Sequence, residues 1–243
     1  MNTDTKGGSS TNVSGTSNTT TLQEGRRSFL RRAGLSGAAL ALAGCTLDGA
    51  ELFAPTGPSR ALVGAGGSIT LDFSNDIDVL NYAYALEQLE AAFYVSVVTN
   101  AQLAIIFAAN EQRVFRDVRD HEVVHKDFLA AALGTSRIPD LTPDFTKINF
   151  ADRKSVLETA RTFEDLGVGA YNGAARYLKS VDYLGVAGKI VSVEARHASA
   201  IRDLLNNRSG DFAPAAFDVA HTPQFVLNAA DPFIVESISA TNT

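Results

Sequence analysis

The sequence predicts an all-α protein: four long helices packed as a bundle, a long connection between the second and third, and an irregular C-terminal tail. Three observations carry this. Four segments between 76 and 206 place apolar residues at alternating three- and four-residue spacing, the signature of helices with one buried face. Each of those stripes has a glutamate in its middle. Between the second and third segments lie about 15 residues with Pro139 and Pro143, longer than most helix–helix links.

Ser74-Asn75-Asp76-Ile77-Asp78 reads as a helix start, a capping Ser or Asn followed by acids in the first turn. The first helix then runs to about Thr99 on the stripe Leu80, Tyr84, Glu87, Ala91, Tyr94 and Val98. Glu90 lies on a second inward line of the same helix with Val79, Ala83, Leu86, Phe93 and Val97, so Glu87 and Glu90 compete for the same role. Residues 100–109 are apolar and fit either a loop or an early start to the second helix. That helix is predicted from about Asn110 to Leu133, stopped by Gly134, on the stripe Phe115, Val118, Glu122, His125, Leu129 and Ala132. The third runs from about Ala151 to Lys179 (Leu157, Ala160, Glu164, Val168, Tyr171, Ala175, Leu178). The fourth runs from about Val186 to Asn206 (Ile190, Glu194, His197, Ile201, Leu204). The bundle therefore occupies 71–207. Residues 208–243 hold Pro214, Pro223 and Pro232 and read as an irregular tail packed on it, with a short helical piece near 224–229. No sheet larger than a short ribbon is expected.

The chemistry sits in the stripes. Glu122-Val123-Val124-His125 and Glu194-Ala195-Arg196-His197 are two Glu-x-x-His sequences, and residues three apart lie on one helix face. Ten Glu and four His in 243 residues would give about 0.2 such matches by chance, so two is informative. Glu87 lies 35 residues before Glu122, and Glu164 lies 30 before Glu194. Two Glu-x-x-His helices facing one another give two metal half-sites, which Glu87 and Glu164 bridge or complete. Carboxylate and imidazole together suit iron, manganese or zinc. Four unpaired carboxylates in one core would be costly without cations to compensate them. The candidate metal ligands are thus Glu87, Glu122, His125, Glu164, Glu194 and His197. His121 flanks this set or touches a ligand, and His221 falls in the tail at the surface.

A rival reading exists. His121-Glu122-Val123-Val124-His125 formally matches the zinc-protease motif, with His121 and His125 on zinc and Glu122 as general base. It lacks a continuation that supplies a third ligand, and it leaves the second Glu-x-x-His unexplained. A third reading is a bundle without a working metal, serving as an envelope structural or desiccation-protective protein.

The N-terminus has its own organisation. Residues 1–21 are mostly Ser, Thr, Asn and Gly. Arg26-Arg27-Ser28-Phe29-Leu30-Arg31 then precedes an apolar run of small residues from Ala33 to Gly44, the parts of an export signal of twin-arginine type. Leu42-Ala43-Gly44-Cys45 closes the run, resembles the bacterial lipobox, and holds the one cysteine of the chain. Residues 1–45 are thus expected to be a twin-arginine signal with a lipobox, Cys45 the lipidated residue, and 46–70 a flexible tether. The protein would be a periplasmic or cell-envelope lipoprotein that meets the membrane through Cys45. The whole chain carries a formal charge of −6. Removing Lys6, Arg26, Arg27, Arg31 and Arg32 with Asp4 and Glu24 leaves 16 basic and 25 acidic residues, or −9. This acidity argues against a nucleic-acid partner. The twin-arginine route carries folded proteins and suits one that acquires its metal before export.

Three stretches carry a family resemblance: Leu80-Asn81-Tyr82-Ala83 through Leu86-Glu87-Gln88-Leu89-Glu90-Ala91-Ala92-Phe93-Tyr94; Glu164-Asp165-Leu166-Gly167-Val168-Gly169-Ala170-Tyr171; and Val193-Glu194-Ala195-Arg196-His197-Ala198. Through them the chain resembles the ferritin-like superfamily over about 70–210. More narrowly it looks like the exported bacterial ferritin-like domain family, whose relatives include plant desiccation-related proteins. The resemblance implies a ferritin-like four-helix bundle with its long crossover between the second and third helices. It also implies two iron or manganese ions, with ferroxidase, peroxidase or catalase-like chemistry on oxygen or peroxide. The superfamily often places a Tyr seven residues after the first-helix Glu. Tyr94 fits and Tyr171 repeats it after Glu164, so the domain reads as a duplicated pair of helical hairpins, with both tyrosines packed in the core and able to touch a ligand carboxylate. A closed storage shell is not expected, because a lipid-tethered N-terminus would obstruct it.

Overall fold

The computed structural model describes residues 67–243 together with the strand Leu62–Val63. The expected signal, Arg26, Arg27 and Cys45 lie outside the described residues. The elements in order are β1 (Leu62–Val63), β2 (Ile69–Asp72), α1 (Asp76–Thr99), α2 (Leu103–Ile106), α3 (Ala109–Leu133), α4 (Arg153–Ala174), α5 (Val181–Leu205), α6 (Pro223–Ala230) and β3 (Ile238–Thr241). The four long helices α1, α3, α4 and α5 form the all-α bundle. α1 packs on α3 and α4 on α5, and the two hairpins join through α1–α4 and α3–α5 contacts.

Local chemistry explains where each helix begins. Asn75 caps α1 by accepting from the Asp78 amide at 3.0 Å, with Asp76 and Asp78 in the first turn. Asp76 also accepts from the amides of Lys179 and Ser180 at 2.9 and 2.8 Å, which ties that end of α1 to the α4–α5 turn. At the start of α3 the Glu111 carboxylate accepts from the Ala108 amide. Asp152 caps α4 and Ser180 caps α5. The fourth long helix therefore begins five residues before the expected Val186. Gly185 and Gly188 thin the apolar pattern of its first turns, while the Ser180 cap extends it. The third ends at Ala174, and the 3-10 turn Ala175–Tyr177 replaces the last turn expected of it.

The crossover from 134 to 152 is long, as expected, and is held by side chains of α1. Asn81 donates to the Ser136 carbonyl and accepts from the Ile138 amide at 2.9 and 2.8 Å. Gln88 accepts from the Leu141 amide. Phe145 and Phe150 from the crossover meet Phe93, which also meets Phe163 edge-on at 5.2 Å. Phe93 is fully buried, so this aromatic cluster closes one end of the bundle.

Expectations about the tether, the sheet and His221 are corrected. The tether does not extend to residue 70: Leu62–Val63 and Ile69–Asp72 are strands, and Ile69 and Leu71 are buried. Nor is the sheet a ribbon, for it has three strands in the order β1-β2-β3. β1 pairs antiparallel with β2, and β2 pairs parallel with β3 from Ile69↔Ile238 to Asp72↔Thr241. The tail includes α6, near the expected helical piece, and ends as the third strand. It also lies against α4 more closely than a side chain would allow. The His221 amide donates to the Gly169 carbonyl at 2.9 Å, and a Cβ on Gly173 would stand 1.7 Å from the His221 carbonyl oxygen. Gly173 is needed there because backbone fills the space a side chain would take. His221 is thus half-buried and stacked on Phe225, not free at the surface.

Candidate metal centre

α1, α3, α4 and α5 each deliver one or two polar side chains to the middle of the bundle. Glu87, Glu122, Glu164 and Glu194 are each 0% exposed, and His197 is 4% exposed. They fall into two groups. One holds Glu87, Glu122, His125 and Glu194; the other holds Glu122, Glu164, Glu194 and His197. Within each, one ligand atom per residue lies within 4.8 Å of all the others. Glu122 and Glu194 belong to both groups. Glu87 with His125 completes one, and Glu164 with His197 completes the other.

The imidazoles point the same atom inward. His125 Nδ1 lies 2.9 Å from Glu194 and 3.5 Å from both Glu87 and Glu122. His197 Nδ1 lies 2.7 Å from Glu122, 3.4 Å from Glu164 and 3.7 Å from Glu194. These are ion-pair distances, yet the directions do not make hydrogen bonds. Eight buried atoms remain without a hydrogen-bond partner: Oε2 of Glu87, both oxygens of Glu122, Oε2 of Glu164, both oxygens of Glu194, and Nδ1 of each histidine. Together they line common space inside the bundle.

Residues 75–207 match the sequence family described as Ferritin-like domain. The chain belongs to that family. No curated protein matches the chain. The ferritin-like bundle and its buried Glu/His cluster are compatible with a site for metal ions.

In this ferritin-like domain the two hairpins exchange hydrogen bonds across a pseudo-twofold relation. Tyr171 on α4 donates to Oε1 of Glu87 on α1 at 2.6 Å. Tyr94 on α1 donates to Oε1 of Glu164 on α4. Each tyrosine follows its own helix's glutamate by seven residues but reaches the opposite helix's glutamate. The outer oxygens of Glu87 and Glu164 are thereby occupied, and the inner ones are left free.

The same relation distinguishes Glu87 from Glu90. Glu87 enters a ligand group and Glu90 enters neither. Glu90 stands three residues after Glu87, and its counterpart three residues after Glu164 is Gly167. A Cβ on Gly167 would lie 2.9 Å from Glu90 Oε1, so the missing side chain makes room for a fifth buried glutamate.

Electrostatics record how much charge is packed here. Burial pushes Glu87 and Glu90 well above the usual carboxylate range, with neighbouring glutamates adding to it. Glu164 is pushed by burial to about 8. Burial opposes ionisation of Glu122 too, but His125 and His197 outweigh it and hold the carboxyl at about 2. Burial would lower the two imidazoles; the glutamates around them win and raise both to about 12. Protons balance the carboxylates in the absence of another cation.

His121 is exposed and belongs to neither ligand group. Its Nδ1 lies 2.9 Å from Nε2 of His197, and the rings stack at 5.1 Å. It therefore touches the outward nitrogen of a candidate ligand. The zinc-protease reading requires His121 and His125 to converge on one ion, and the two rings serve different neighbours.

Proposed function

We propose that this is an exported, lipid-anchored ferritin-like protein whose bundle holds two iron or manganese ions for chemistry on oxygen or peroxide. The observation that carries the reading is the set of eight buried, unpartnered ligand atoms converging from four helices. Leaving buried polar atoms unpaired costs on the order of 1–3 kcal/mol each, more when charged, and an intended cation removes that cost. Two divalent ions would also match the four carboxylate charges once both imidazoles are neutral.

Glu87, Glu122, His125 and Glu194 would hold one ion, and Glu122, Glu164, Glu194 and His197 the other. Bound there, such a pair supplies open coordination positions and a change of oxidation state. The chain's own residues do the rest. Tyr94 and Tyr171 hold the outer oxygens of Glu164 and Glu87 and so fix which oxygen faces inward. His121 orients the His197 ring from outside. Full burial of the four glutamates excludes bulk water and strengthens every interaction inside.

Metal analysis of the protein purified from cells supplied with iron, manganese and zinc tests the reading. The expected result is about two iron or manganese ions per chain, one for each half-site. One zinc per chain, lost on His121→Ala, would support the protease. No metal under any supply would leave an envelope structural protein.

A further inference from the structure

The end of the bundle where α4 turns into α5 carries an apolar helix face that nothing covers. Ser180 caps α5, and Val181, Leu184, Gly185 and Gly188 follow at helical spacing on one side of it. Val181 is 78% exposed and Leu184 is 42% exposed, and nothing stands near either glycine. Tyr177 and Tyr183 flank this face half-buried.

The charges of this corner run against those of the chain. The sequence after Cys45 carries −9. Between 175 and 189 the charged side chains are Arg176, Lys179 and Lys189 against Asp182, and all four are exposed. Asp76 lies beside them but is half-buried and already accepts from the amides of Lys179 and Ser180.

The chain also reaches the domain at this end. β2 runs toward it, since Phe73, which follows β2, meets Tyr177 edge-on at 5.2 Å. β1 is antiparallel to β2, so its Leu62 end points the same way. Between Cys45 and Leu62 lie the residues 46–61, a length that spans at most about 55 Å.

Apolar side chains bordered by tyrosines and cations match the boundary of a bilayer, where each kind finds its medium. Lysine and arginine stems lie along apolar surface while their heads meet phosphate. A second copy of the chain seated here by twofold symmetry would instead bring like charges together.

We propose that the α4–α5 corner is the surface on which the domain rests on an anionic phospholipid bilayer, with Val181 and Leu184 entering the lipid and Arg176, Lys179 and Lys189 meeting its phosphates. The inference rests on the lipoprotein reading above. With −9 on the chain, the corner orients a domain that the Cys45 lipid holds at the surface, and one acyl anchor is strengthened by such a basic patch.

The full lipidated chain in vesicles of phosphatidylglycerol and phosphatidylcholine, or of phosphatidylcholine alone, tests this. Cys45 is the one cysteine, and in the lipidated chain its sulfur carries the lipid. Leu184→Cys therefore gives a single site for a polarity-sensitive dye, and Val181→Cys repeats the reading if the first variant folds poorly. Val124→Cys, at a 64% exposed position on α3, is the control. Emission from the 184 label should shift to the blue on the anionic vesicles, and emission from the 124 label should not. Each cation near an anionic surface contributes about fivefold to partitioning, so Arg176→Gln with Lys189→Gln should lower the ratio of seated to free corner about 25-fold and reverse most of the shift. A 184 label that stays in water on anionic vesicles, or an equal response at 124, overturns the docking surface. An equal shift on phosphatidylcholine alone overturns the role of the cations. A shift that appears without vesicles and grows with protein concentration overturns the bilayer in favour of a second copy. The mass of the reconstituted chain separates the two readings. An unlipidated chain overturns the lipoprotein reading and this inference with it, whereas a lipidated chain whose 184 label stays in water overturns this inference alone.

Discussion

The proposed centre uses six ligand side chains and two tyrosines, and their removal should have distinct consequences. Replacing His125 and His197 together with alanine takes one nitrogen from each group and should remove most bound metal. The helices should remain, because their apolar stripes are untouched; metal analysis beside circular dichroism checks both. His121→Ala is milder: it frees the His197 ring without removing a ligand, and such outer partners typically contribute about 10–100-fold in affinity. Titration should show weaker binding with the number of ions unchanged. The pH dependence follows from the protons now balancing the glutamates. His125 and His197 are held protonated to about 12, and Glu87 and Glu164 are raised by burial. A metal must displace these protons, so its affinity rises with pH and falls on acidification, about tenfold per pH unit for each proton released. Manganese titration by calorimetry in buffers of different ionisation enthalpy counts them. An affinity independent of pH between 5 and 8 would contradict this charge balance. The two buried Glu/His groups were legible in the sequence because Glu-x-x-His is a short-range pattern. The choice between Glu87 and Glu90 was not, because α1 is buried on almost every side and both glutamates lie on inward lines. Only Gly167, on another helix, explains where Glu90 goes. The His121–His197 contact crosses two helices and leaves no sequence signal.

At the scale of elements, the four long helices were legible from period and caps, while everything that joins distant segments was not. β2 and β3 pair across about 170 residues and each has four, too short for a two-residue alternation to stand out. α5 begins early because a serine cap six residues before the expected start outweighs two glycines. The tail's grip on α4 was likewise hidden, since it depends on a missing side chain. Gly173→Ala should expose that grip. Its Cβ would meet the His221 carbonyl oxygen at 1.7 Å, and backbone cannot rotate aside as a side chain can. The expected cost is about 1–3 kcal/mol, with the 213–222 segment released and the bundle still helical. Gly188→Ala is the matching control, because nothing stands near it. Alanine there should raise stability by roughly 0.5–1 kcal/mol through helix propensity alone. Denaturant unfolding of the two variants beside the wild type measures both signs. Equal effects from the two would mean that the α4–tail contact contributes nothing.

For the whole molecule, the question is what places the bundle in the cell. Among the described residues no helix is long and apolar enough to cross a membrane. The sequence after Cys45 carries a charge of −9, which an anionic lipid surface repels. In the proposed lipoprotein, membrane attachment would rest on the lipid expected at Cys45. Cys45→Ala should move the exported protein into the soluble fraction, and retention at the membrane would point to another anchor. A wild type that is itself soluble and unlipidated would remove the lipoprotein reading. Arg26→Lys with Arg27→Lys should hold the protein inside the cell, because the twin-arginine route depends on that pair. The retained form also tests the order of events. If the bundle folds and loads before export, the retained protein should carry the same metal, in the same amount, as the exported wild type. The eight buried ligand atoms give the physical reason: none of them has a hydrogen-bond partner, so loading before export would stabilise the folded bundle. A retained variant that is folded but metal-free, beside an exported wild type that is loaded, would place metal acquisition outside the cell.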